Sequence, residues 1–126
     1  MKLRIKGNSL RLRISRSEMA KLAEGGSIED TIHFAPAPDA TLTYALRTAA
    51  EGPDISVEYL PQHVTVVLST QATTRWATSD EVGLYGSSDT SAGPLELIVE
   101  KDFACLAGDE PSDEDAFPNP NAGSPC

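Results

Sequence analysis

Lys2-Leu3-Arg4-Ile5-Lys6-Gly7-Asn8-Ser9-Leu10-Arg11-Leu12-Arg13-Ile14 reads as two β-strands around a tight turn. Apolar and basic residues alternate with a period of two on both sides of Gly7-Asn8, a pair that tolerates positive φ. A turn at Gly7-Asn8 sets Arg4 opposite Arg11 and Lys2 opposite Arg13 on one face. A slip to an Asn8-Ser9 turn would set Lys6 against Arg11 and Arg4 against Arg13. Like charges meet in either register, at a cost of up to roughly 1 kcal/mol per pair. An anion near that face would relieve the repulsion.

Working outward, Ser15-Arg16-Ser17-Glu18 fits a capping box, and Met19, Leu22 and Ala23 give the short helix behind it an apolar stripe that Gly25-Gly26 ends. Ile28, Ile32 and Phe34 suggest a third strand, and Leu42, Tyr44 and Leu46 a fourth. The same order then recurs. Ile55, Val57 and Tyr59 precede a Pro61-Gln62 turn; Val64, Val66 and Leu68 return; Ser69 or Thr70 caps a helix carrying Ala72, Trp76 and Ala77. Val82, Leu84 and Tyr85, then Leu95, Leu97 and Val99, complete the second set. Adding 54 to a residue number carries Leu3, Leu12, Ser15 and Leu22 onto Val57, Val66, Ser69 and Trp76. The fold class expected is therefore β-rich α+β: two pseudo-symmetric ββαββ repeats, about 1–50 and 54–106. Eight strands with one apolar face each would close into a small antiparallel barrel or a strongly curled sheet, with two short helices plugging or covering it. An open sheet with both helices on one face is the main alternative.

A single domain over residues 1–106 is expected, followed by a tail at 107–126. The tail holds five acids, four prolines, no base and one aromatic, Phe117. By composition it cannot bury enough apolar area to offset its ordering entropy, so it should be disordered by itself. The net charge of −9 argues against nucleic-acid binding, but it hides a segregation. Residues 1–16 hold six of the 10 basic residues and no acid, which leaves four bases against all 19 acids in the rest. No stretch approaches the roughly 20 apolar residues of a membrane span. The N-terminus does not read as a signal peptide, so Cys105 and Cys126 are expected as free thiols in the cytoplasm.

The opening residues 1–13, Met-Lys-Leu-Arg-Ile-Lys-Gly-Asn-Ser-Leu-Arg-Leu-Arg, resemble those of a family of small uncharacterised bacterial proteins. So do Val99-Glu100-Lys101-Asp102-Phe103-Ala104-Cys105-Leu106 and Phe117-Pro118-Asn119-Pro120. The resemblance runs along the whole chain and brings no established activity. It implies that the acidic, Phe-Pro-Asn-Pro tail is a family trait, which favours a docked tail.

Lys2, Arg4, Lys6, Arg11 and Arg13 form the candidate anion- or partner-binding face. The bland reading is a solvated band paired with Glu or Asp from a neighbouring strand. The intramolecular reading lays tail acids across it, with Asp113, Glu114, Asp115, Phe117 and Pro118 as the docking residues. Barrel enzymes that process triphosphates hold their metal with carboxylates near the N-terminus; here no acid precedes Glu18. His33, His63 and Cys105 lack zinc-ligand spacing, and no serine sits in a nucleophile elbow, so neither a catalytic residue, a metal site nor a cofactor is expected. The function expected is non-catalytic binding or regulation, with a phosphate-, nucleotide- or metal-dependent protein as the alternative. Partners expected are the chain's own tail or an acidic or phosphorylated ligand, with no membrane.

Overall fold

The computed structural model describes residues 1–103 and 115–118. Strands β1 (Lys2–Lys6) and β2 (Ser9–Ile14) form the expected hairpin, with Gly7 at φ 56° supplying the left-handed turn residue. The register sets Lys2 against Arg13 and Arg4 against Arg11. Helix α1 (Arg16–Ala23) starts on a full capping box: the Glu18 amide donates to Ser15 Oγ, and Glu18 Oε1 accepts from the Ser15 amide at 2.9 Å. Such caps are each worth about 1 kcal/mol.

β3 (Ile28–His33) and β4 (Thr41–Ala49) pair antiparallel, as do β5 (Ile55–Leu60) and β6 (His63–Ser69). Ser69 caps α2 (Thr70–Ala77), its Oγ accepting from the Ala72 amide at 3.0 Å. β7 (Gly83–Thr90) and β8 (Gly93–Lys101) close the order. The hairpin register recurs at an offset of 54: Leu3↔Leu12 and Arg4↔Arg11 correspond to Val57↔Val66 and Glu58↔Thr65.

The expected barrel is corrected. Two four-stranded sheets form instead, in the orders β1-β2-β8-β7 and β3-β4-β6-β5, and the described strands make no ladder between them. The sheets are not wholly antiparallel either, because β2 runs parallel to β8 and β4 parallel to β6. Each hairpin thus takes its second neighbour from the other half of the chain. Where the sheets meet at β5 and β7, the contact is side chain against backbone. A Cβ on Gly86 would lie 2.5 Å from Ile55 Cγ2, so β7 presses on an Ile55 methyl, and β5 and β7 remain sheet edges.

The core lies between the inner faces at the helical end. Leu12, Ile14, Leu46, Leu68, Leu97 and Val99 meet Met19 and Leu22 of α1 and Ala72 and Trp76 of α2. Trp76 is fully buried, and its Nε1 donates to the Val82 carbonyl at 3.2 Å, so the largest core residue carries no unmet polar group. Cover is lost toward the hairpin turns, where Ile5 and Tyr59 sit on the inner parity yet stay exposed. Among the described residues, no helix is long and apolar enough to cross a membrane.

The tail is also corrected in part: residues 115–118, expected disordered, lie against the domain with Ala116 buried. Asp113, Glu114, Cys105 and Cys126 lie outside the described residues.

Candidate functional site

The alternation that buries Leu10, Leu12 and Ile14 turns Ser9, Arg11 and Arg13 outward with Lys2, Arg4 and Lys6 of β1. Across the parallel β2–β8 ladder, Ser9 faces Glu96, Arg11 faces Ile98 and Arg13 faces Glu100. One sheet face therefore runs from a basic band on β1 and β2 to an acidic row on β8, with Tyr85 of β7 beside Ile98.

Glu100 neutralises the middle of that face. Its Oε1 lies 3.3 Å from Arg11 Nε and 4.0 Å from Arg13 Nε. Its Oε2 accepts from the Tyr85 hydroxyl at 3.0 Å. Burial, this hydrogen bond and the carboxylate charge together raise the Tyr85 pKa, with Arg11 opposing them. Lys2 reaches a second carboxylate, Asp102 Oδ2, at 2.9 Å. The Arg11 contact is a close charge pair but a poorly aligned hydrogen bond: Nε is buried and has no hydrogen-bond acceptor among the described residues.

Arg11, paired with Glu100 on one side, joins Arg4, Lys6 and Ser9 in lining an open cleft of about 190 Å³ beside the hairpin turn. Among the described residues, no carboxylate lies within 4.0 Å of the Arg4 or Lys6 charged groups. The hairpin turn is fixed by two bonds to the start of β8: the Glu96 amide donates to the Asn8 carbonyl at 3.0 Å, and Asn8 Nδ2 donates to the Pro94 carbonyl at 2.9 Å. Three cations thus line this concavity, while the Ser9 hydroxyl there donates to the Lys6 carbonyl at 2.9 Å. Arginine and lysine there can accept an oxyanion through charge-assisted hydrogen bonds, each roughly twice as strong as a neutral one.

The tail-docking residues sit elsewhere. Asp115 Oδ1 accepts from the Ser17 amide at 3.1 Å and Oδ2 from the Ser17 hydroxyl, at the start of α1. Hydrogen bonds from Ser17 and Ser15 hold the Asp115 carboxyl below the usual aspartate range, helped by Arg16. No hairpin cation lies within 4.0 Å of Asp115 among the described residues. The Phe117 amide donates to the Asp102 carbonyl at 2.8 Å in a parallel bridge of Phe103 with Phe117. Pro118 is exposed.

His33 is exposed on β3 and His63 half-buried at the start of β6; among the described residues no three His, Cys, Asp or Glu side chains converge. Sequence reasoning singled out the cations but missed Ser9, Glu100 and Asp102 as their companions, and Ser17 as the seat of Asp115. Only Glu100 left a usable signal, since its four-residue spacing from Glu96 puts both on one face of a strand.

Glu100→Gln keeps the Tyr85 hydrogen-bond acceptor while removing the charge opposing Arg11 and Arg13. The expected result is a stability loss of ~1 kcal/mol or less, as for half-exposed ion pairs. Anion affinity at the hairpin should rise roughly three- to tenfold, about 0.7–1.4 kcal/mol. Urea denaturation and calorimetric titration with pyrophosphate check the two halves.

A family model described as a family of unknown function (DUF7009) matches residues 1–121. No curated protein and no solved structure matches the chain.

Proposed function

For a chain that belongs to a family of unknown function, DUF7009, we propose a non-catalytic role in binding: the hairpin face formed by Lys2, Arg4, Lys6, Arg11 and Arg13 takes an anionic, phosphoryl-bearing ligand. We also read its two halves as copies of one ββαββ unit, on the support of the shared hairpin register and the matching sheet orders.

One observation carries the functional reading. The second hairpin occupies the same register as the first without any of its outward cations. Ser56, Glu58, Leu60, Thr65 and Val67 stand where the first has Lys2, Arg4, Lys6, Arg11 and Arg13. The architecture does not demand the basic band. Its like-charge neighbours oppose folding, and two carboxylates only partly offset them. The cations around the cleft are then best accounted for by a ligand. Arg4 and Arg11 offer planar guanidinium forks suited to phosphoryl oxygens, and Lys6 adds a mobile point charge. The cleft is open and shallow, which suits a group presented on a larger molecule, such as a phosphorylated protein segment.

A thermal-shift comparison of phosphate, pyrophosphate and chloride at equal ionic strength tests this reading. Pyrophosphate at 100 times its dissociation constant should stabilise the fold by about 2.7 kcal/mol. Equal midpoints in all three salts at saturating concentrations would contradict it.

A further inference from the structure

Residues 115–118 touch the domain through three unlike contacts, and together these describe a recognition site. The first is a carboxylate contact: the Ser17 amide and hydroxyl both donate to Asp115. The second is a main-chain contact, from the Phe117 amide to the Asp102 carbonyl at 2.8 Å. The third is aromatic. The Phe117 ring lies edge-on to Phe103 at 6.3 Å, and the Lys101 ammonium stands 5.4 Å from its centroid.

Lys101 is itself unusual. It is buried at the end of β8, on the inner parity beside Ile14, and its Nζ donates to the Ser79 carbonyl at 2.7 Å. Among the described residues its ammonium has no carboxylate partner. The Phe117 ring face supplies the remaining favourable contact, and cation–π contacts strengthen as they lose water. Asp102 joins the three contacts to the sheet. Its amide donates to the Ile14 carbonyl at 2.8 Å, its carbonyl receives Phe117, and its carboxylate holds Lys2.

We infer that Ser17, Lys101, Asp102 and Phe103 form a peptide-binding groove whose resident ligand is the chain's own Asp115–Pro118 segment. The groove reads an extended Asp-x-Phe pattern: a carboxylate on the first turn of α1, a strand-like backbone bond, and a ring on a buried ammonium. This is the strand-addition mode of peptide recognition in short form. A tethered segment experiences an effective concentration in the millimolar range, so the resident ligand needs only comparable affinity to stay seated, and it can exchange. A second copy or a partner presenting the same pattern can therefore compete for the groove.

The test adds a synthetic peptide of residues 113–120 to the full chain carrying Phe117→Ala, followed by amide NMR up to about 10 mM peptide. The peptide should return the Ser17, Asp102 and Phe103 peaks toward their wild-type positions. The wild-type chain should bind it about tenfold more weakly if its own segment is seated roughly 90% of the time. A peptide with Asp115→Asn should lose most of this binding. No saturable shifts, or shifts that ignore the Asp115 change, would overturn the groove. Should Phe117→Ala fail to fold, Asp115→Asn in the full chain takes its place. Ser17 and Phe117 amides should then lose protection together in hydrogen exchange, and independent behaviour of the two would overturn the inference.

Discussion

Trp76→Ala should lower the free energy of unfolding by about 3–5 kcal/mol, the usual cost of deleting a buried aromatic. Trp76 is fully buried between α2 and the sheets, and its indole nitrogen is satisfied by the Val82 carbonyl. Truncation removes the ring's transfer free energy, leaves a cavity in a packed core, and strands the Val82 carbonyl. Total stability of a chain this size is about 5–15 kcal/mol, so the loss is a large fraction of it. Trp76→Phe keeps most of the volume and should lose clearly less. Urea denaturation followed by circular dichroism measures both. A loss below about 1 kcal/mol for the alanine variant would mean the core is not centred on α2.

The second large effect concerns binding and has the opposite sign in stability. Arg4→Glu combined with Lys6→Glu should abolish most anion affinity at the hairpin. Each charged hydrogen bond is worth about 1.5–3 kcal/mol, so losing two costs about a hundredfold or more. Folding should be unharmed, because both side chains are exposed and lack carboxylate partners among the described residues. Arg4→Glu also converts the repulsive Arg4–Arg11 neighbours into an attractive pair, which favours the fold by up to about 1 kcal/mol. A surface band kept for structural reasons would behave otherwise: its reversal would destabilise the protein and leave pyrophosphate binding where it was. Calorimetric titration and urea denaturation on the same preparation separate the two cases.

The legible part of this fold is local. Gly7-Asn8 and the period-two alternation on both sides announced the hairpin and its basic face; of the two registers left open, a turn at Gly7-Asn8 or at Asn8-Ser9, the structure takes the first, which sets Arg4 against Arg11. Ser15 and Glu18 announced α1 because a capping box needs only four consecutive residues. Trp76 read as core because it stands 54 residues after Leu22, on the apolar stripe of the corresponding short helix. Strand partners were not legible. Alternation states which face of a strand is buried but not which strand lies beside it, so the parallel β2–β8 and β4–β6 ladders were invisible. The barrel expectation failed for that reason. Closure requires hydrogen bonds between the two sheets, and the close approach of Gly86 to Ile55 offers van der Waals contact instead.

The candidate site divides the same way. Its cations were visible as a run of like charge. Their neutralisation by Glu100 depends on a ladder joining residues nearly ninety positions apart, which spacing cannot reveal. The seat of Asp115 was hidden more deeply. Composition suggested that tail acids would seek the basic band, whereas Asp115 takes the paired amide and hydroxyl of Ser17, where directed hydrogen bonds supplement charge.

The central claim is that the cleft of Arg4, Lys6, Ser9 and Arg11 is a binding site and not a solvated band. Amide NMR of the full chain during a pyrophosphate titration at constant ionic strength tests it most directly. The account predicts saturable shifts concentrated at residues 4–11 and at Glu96, whose amide is bonded to the turn, with Arg47 and Arg75 unaffected. Weak, unsaturated shifts spread evenly over all exposed arginines would contradict it.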